Sequence, residues 1–158
     1  MDRADSARSI DVEVDVNDGM PRTMSPAENW QALKEHEFAR LAYRLLGDVH
    51  ITPINYAVDG ETLLFRTAPG NKLLSVVMHG PVALEIDELA AEEAWSVVVR
   101  GHAEVIDGDD ALRAEQAPLR PWVEGEKDVV VRIVPDEITG RRFRLSKPWE
   151  HYLPIPER

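Results

Sequence analysis

Apolar residues along this chain repeat at two different spacings, and the points where one gives way to the other mark out its elements. Ser25-Pro26-Ala27-Glu28 carries a capping-box signature: a serine cap, a proline in the first turn, and a glutamate three residues after the serine. Trp30, Leu33, Glu37 and Phe38 follow at helical spacing and predict a helix of about a dozen residues with one apolar face. From residue 39 the period becomes that of strands. Ala39–Leu46, Val49–Val58 and Glu61–Thr67 read as three strands in succession, the first ended by Gly47-Asp48. Asp59-Gly60 predicts a two-residue hairpin between the second and the third. Pro53 removes one ladder donor, which predicts a bulge or an edge there.

Ala68-Pro69-Gly70 breaks the third strand, and residues 71–79 read as a short helix with Leu73, Leu74, Val77 and Met78 inward. Val82–Asp87 and Trp95–Ile106 are the fourth and fifth strands, with Gly101 marking a bend or bulge. Asp109–Ala117 is a helical candidate, and Pro118–Glu126 a proline-rich loop that carries Trp122. Val129–Val134 and Ile138–Leu145 read as a sixth and a seventh strand. Six or seven short strands with helices confined to the connections predict a mostly β fold: an antiparallel barrel with peripheral helices. Residues 1–24 are expected to form a flexible acidic arm, residues 25–147 the folded domain, and residues 148–158 an extended, proline-rich tail.

Charge narrows the partners. Lys and Arg number 18 against 29 Asp and Glu, a net charge of −11. Such a surface repels nucleic-acid backbones and anionic membranes, so neither is an expected partner. There is no cysteine. That excludes disulfides, thiolate metal sites and cysteine nucleophiles, and it fits a cytoplasmic location. The N-terminal residues lack the pattern of a secretory signal. The five histidines, His36, His50, His79, His102 and His151, show no ligand-pair spacing, so no metal site is expected. Gly-x-Ser-x-Gly and glycine-rich phosphate loops are absent as well. What remains is a small basic island in an acidic chain: Arg66 at the end of a strand, Thr67 beside it, and Lys72 opening the next helix, with no acid between. Cations converging in this way suit a terminal phosphate.

In order along the chain, several segments together resemble the flavin-binding split barrels related to pyridoxamine 5′-phosphate oxidase. They are Arg40-Leu41-Ala42, Ile51-Thr52-Pro53-Ile54-Asn55-Tyr56, Asp59-Gly60, Leu64-Phe65-Arg66-Thr67 and Gly70-Asn71-Lys72-Leu73. Val82 to Asp87, Trp95-Ser96-Val97 and Gly101-His102-Ala103 continue the series. The resemblance implies a six-stranded split barrel that pairs as a homodimer, with FMN between the subunits. It implies that Arg66, Thr67 and Lys72 hold the phosphate. It further implies that Pro53, Ile54, Asn55 and Tyr56 back the isoalloxazine ring, and that Trp95 and Ser96 reach the cofactor from the partner subunit. Oxidoreductase activity on an unidentified small molecule follows from it, with no catalytic acid or base evident. Relatives that bind a deazaflavin, or that carry or sense flavin or haem without turnover, keep those alternatives open. The chain is shorter than true pyridoxamine 5′-phosphate oxidases and lacks their C-terminal substrate-binding segment, which counts against pyridoxamine phosphate as the substrate.

Overall fold

Ser25 caps a helix in the manner its neighbours predict. Its Oγ accepts from the Glu28 N–H at 3.2 Å, and the Glu28 carboxylate accepts from the Ser25 N–H at 2.7 Å. The helix that follows, α1, spans Pro26–Glu35. It stops short of the expected length because His36 is extended (ψ 151°), so that Phe38 opens a strand instead of closing the helix. The computed structural model describes residues 20–70, 72–77, 79–114, 116–119 and 129–145. Residues 1–19 of the expected arm, residues 120–126 of the proline-rich loop with Trp122, and the tail lie outside the described residues.

The strands are β1 (Arg22–Thr23), β2 (Phe38–Leu45), β3 (Asp48–Asn55), β4 (Ala57–Asp59), β5 (Thr62–Thr67), β6 (Pro81–Leu89), β7 (Glu93–Ile106) and β8 (Val129–Arg144). They form one antiparallel sheet in the order β3-β2-β6-β7-β8-β5-β4, with β1 added to the end of β8. The sheet curls until β3 comes back against β5, giving a split barrel. Helices α2 (Lys72–Val77) and α3 (Gly108–Ala114) lie in connections, as the strand pattern predicts. Residues 22–24, which the sequence places in the arm, join the domain: β1 pairs with Arg141 and Arg142, and Met24 is buried.

Three local readings change. The second strand is really two, because Tyr56 leaves the ladder. Its N–H donates to the Glu37 carbonyl at 2.9 Å, after which β4 takes β5 as its partner in place of β2. The hairpin turn sits one residue later than expected, at Gly60-Glu61, since Asp59 pairs with Thr62. Only Gly60 has positive φ there (60°), the sign pattern of a type II′ turn. The turn with two positive φ values is Leu46-Gly47 (52° and 95°). Finally, the sixth and seventh strands are one, β8, with Pro135 and Asp136 inside it. Arg100 pairs with Glu137 and Gly101 with Pro135, so Asp136 is the extra residue of the bulge that Gly101 predicts. Pro53 sits on β3, an edge strand, as its missing donor requires.

The main core fills the barrel with Leu33, Leu41, Phe65, Leu84, Val97, Val99 and Ile133, all within 1% of full burial. A smaller cluster outside it joins Leu64, Ile106, Ala114 and Val130, covered by Ala117 and Leu119. Helix α1 closes the end where β2 and β7 begin; α2 lies at the other end, between the finish of β5 and the start of β6. No helix among the described residues is long and apolar enough to cross a membrane.

Candidate functional site

Successive side chains of a strand point to opposite faces, and this alternation sorts the expected site residues. On β5, Leu63, Phe65 and Thr67 face the barrel core, and Thr67 is 3% exposed. Arg66 faces outward with Leu64, at the rim of the small outer cluster, opposite Val130. It is half-buried and pairs with no carboxylate among the described residues, whereas Arg40, Arg100, Arg113, Arg132 and Arg142 each hold one. No acid occurs anywhere from residue 62 to residue 84. The turn at 68–70 then leads to Lys72, the first residue of α2. Arg66 and Lys72 therefore flank one turn, while Thr67 turns to the other face of the strand.

The same sorting applies on β3. Pro53 is exposed and Asn55 half-buried on the outer face, which also carries Val49 (72% exposed) and Ile51 (69%). Ile54 packs inward against the core. Tyr56 is fully in the core, its hydroxyl donating to the Leu33 carbonyl at 2.8 Å, and burial pushes its phenol above the ordinary pKa. It locks α1 onto the sheet.

On β7, Ser96 faces outward between Asp87 and Arg141. Trp95 faces inward, half-buried at the α1 end, where its ring meets that of His36 edge to face at 5.0 Å. Within one copy this pair is remote from Arg66. Arg66 pairs with Val130, which pairs with Ile106, eleven positions along β7 from Trp95. At roughly 3.3 Å per residue that is on the order of 35 Å of strand. One copy thus brings Arg66 and the start of α2 together and leaves Trp95 and Ser96 at the far end.

Around Trp95 the structure gathers residues that the sequence reading passed over. Glu88 and Arg142 flank Trp95 in the ladder, and His36 and Glu28 come down from α1 around the same cleft. Glu28 takes two hydrogen bonds from the Arg22 guanidinium, and these with the Ser25 N–H hold its carboxyl down to about 2. The missed signal was the register: Glu88, Trp95 and Arg142 become neighbours only once three strands are aligned. Among the described residues, no three His, Asp or Glu side chains are arranged to hold a metal ion.

An antiparallel split barrel with a cationic turn at one end and an aromatic cleft at the other defines the class. A family model described as pyridoxamine 5′-phosphate oxidase matches residues 25–142, and the chain belongs to that family. An uncharacterized protein of Mycobacterium tuberculosis is 49% identical over 90 residues, 56% of this chain and 82% of that protein. Among solved structures, the FAD binding protein of Mycobacterium smegmatis is 39% identical with a TM-score of 0.69, covering 78% of this chain and 98% of that one. A FAD-binding protein of Mesorhizobium loti is 25% identical with a TM-score of 0.66, over 78% of this chain and 98% of that one.

Proposed function

We propose that two copies of this chain bind a flavin nucleotide between them and use it to oxidise or reduce a small molecule. The observation that carries the reading is Arg66: a half-buried guanidinium with no carboxylate partner among the described residues, in a stretch free of acid, within a protein of net charge −11. A phosphate is the partner such a cation lacks, and Lys72 across the turn adds a second charge. The outer face of β3 supplies what a planar ring needs. Val49, Ile51 and Pro53 form an exposed apolar surface, and Pro53 offers no N–H to compete. Ile54, Tyr56 and Thr67 hold these strands from the core side.

The separation of Arg66 from Trp95 and Ser96 supports a second copy, because one site can use both groups only if they come from different chains. A bound flavin would supply hydride and electron transfer, with the protein contributing binding and orientation. FMN is the ligand that the sequence resemblance implies. The FAD binding protein of Mycobacterium smegmatis, at 39% identity, favours FAD as a second reading; both ligands present a phosphate to Arg66.

The test is to purify the protein, record its visible absorbance, and weigh whatever chromophore heat releases. FMN, FAD, riboflavin and a deazaflavin are then titrated in turn, and the mass of the protein in solution is read by sedimentation. A flavin that binds saturably to a dimer supports the proposal; failure of all four to bind, or a stable monomer that binds fully, sinks it.

A further inference from the structure

On the outer face of the sheet two alanines stand side by side where β2 and β6 pair, Ala42 opposite Ala83. The same row runs on to Ile51 of β3 on one side and to Arg100 of β7 on the other. Taller side chains surround the two methyl groups. The result is a groove of about 280 Å³, lined by Ala42, Arg44, Val49, Pro81, Ala83 and Arg100, among others. The ladder between β2 and β6 ends at the alanine pair, and Pro81 has no N–H to prolong it, so the groove lies where the two strands stop pairing. Its volume is near the lower end of the ~300–1,000 Å³ that small-molecule sites span.

The two sides of the groove differ in charge. On the far side Arg100 donates to Glu137 at 3.0 Å, and Asp136 lies 3.5 Å from His102. On the β2 side Arg44 is exposed and holds no carboxylate among the described residues. Val49 of β3 stands opposite Arg44 in the ladder and is 72% exposed. An exposed guanidinium alone gains little from an anion, because water competes for both charges. Here the apolar floor takes the rest of a ligand out of water, and the two contributions add. One guanidinium balances one negative charge, and its fork grips both oxygens of a carboxylate. We propose that this groove holds the small molecule that binds beside the flavin, and that this molecule is an apolar carboxylate, with its carboxyl group on Arg44 and its body over Ala42 and Ala83. The proposal rests on the flavin reading for the neighbouring ring, since Val49 belongs both to the groove and to the apolar surface assigned to that ring.

The experiment titrates the full chain with trans-cinnamate, cinnamamide or acetate at constant ionic strength, with and without FMN, and follows the backbone amides of Ala42, Ala83 and Gly101 by NMR. Cinnamate should move all three saturably. Cinnamamide, which lacks the charge, and cinnamate on Arg44→Gln should each bind roughly tenfold more weakly. Acetate, which lacks the apolar body, should not saturate. Ala83→Leu raises the floor of the groove and should abolish cinnamate binding while the protein sediments as the parent does. Arg44 is exposed and Ala83 points away from the core, so both variants should melt close to the parent. Cinnamate that binds where FMN does not would remove the flavin reading and support the groove as a carboxylate site. FMN that binds where cinnamate does not, or cinnamate and cinnamamide that bind equally, would overturn the proposal. So would a parent dimer that ignores cinnamate together with an Ala83→Leu chain that sediments as a monomer, because the groove would then be a contact between copies.

Discussion

The two ends of this barrel share one ladder of strands and carry opposite chemistry. At the α1 end the charges are paired within the chain: Arg22 with Glu28, Arg142 with Glu93, His36 facing Glu88. A ten-residue helix with a capping box and a buried Leu33 anchors that end. At the α2 end the helix has six residues, no acid lies between positions 62 and 84, and Arg66 holds no carboxylate among the described residues. Helices this short are held by packing and not by their own hydrogen bonds. The contrast teaches that one end spends its polar groups on ion pairs within the fold, while the other leaves the Arg66 guanidinium without a carboxylate among the described residues.

The strongest way to break this contrast is to remove a core anchor at each end. Leu33→Ala should cost about 2–5 kcal/mol of stability, the range for buried leucine truncations. Val77→Ala removes fewer buried atoms, worth about 0.8 kcal/mol per methylene-sized group plus a cavity, so it should cost less. Thermal unfolding of both variants checks this; equal losses would erase the difference in anchoring.

Next in size is the loss of ligand. Arg66→Ala and Lys72→Ala should each remove a charge-assisted contact of about 1.5–3 kcal/mol, weakening FMN roughly ten- to a hundredfold. Riboflavin, which has no phosphate, should bind parent and variant alike, and neither melting temperature should move much. Unchanged FMN affinity would make the basic island an ordinary charged loop.

Smaller again is Tyr56→Phe, which takes the hydroxyl from the Leu33 carbonyl and should cost about 0.5–1.5 kcal/mol. Flavin affinity should be untouched; a large drop would mean that Tyr56 contacts the ligand and not only the core.

The smallest effect concerns pH. Hydrogen bonds from Arg22, then from the Ser25 backbone, hold the Glu28 carboxyl at about 2, below its usual 4.5. A depressed folded-state value contributes stability that is present above pH 4.5 and drains away as pH falls toward 2. Glu28→Gln should flatten that part of the acid-unfolding curve, and an unchanged slope would remove Glu28 from the account.

Much of the fold was legible along the chain because its signals are local. The Ser25-Glu28 box and the period-two strands depend on neighbours within a few residues. Tyr56 is different: its pattern continues a strand, but its hydroxyl and its N–H both find partners from α1 and the segment after it, so the ladder breaks. Val134-Pro135-Asp136 looks like a strand end, yet the bulge absorbs the extra residue and β8 runs on. Of the candidate site, Arg66 and Lys72 were legible as neighbours across a turn. Thr67 adjoins Arg66 in the chain, but strand alternation turns it to the other face of β5.

By itself, then, the sequence determined the barrel's strands, its capped first helix and its basic turn, because each rests on spacing within a short window. Tertiary structure alone decided that Glu88, Trp95 and Arg142 stand side by side beneath His36, and that the ladder position of Arg66 falls eleven residues along β7 from Trp95. Those relations come from register among strands distant in the chain, and register is fixed by which faces bury together, a property of the whole sheet and of no single segment.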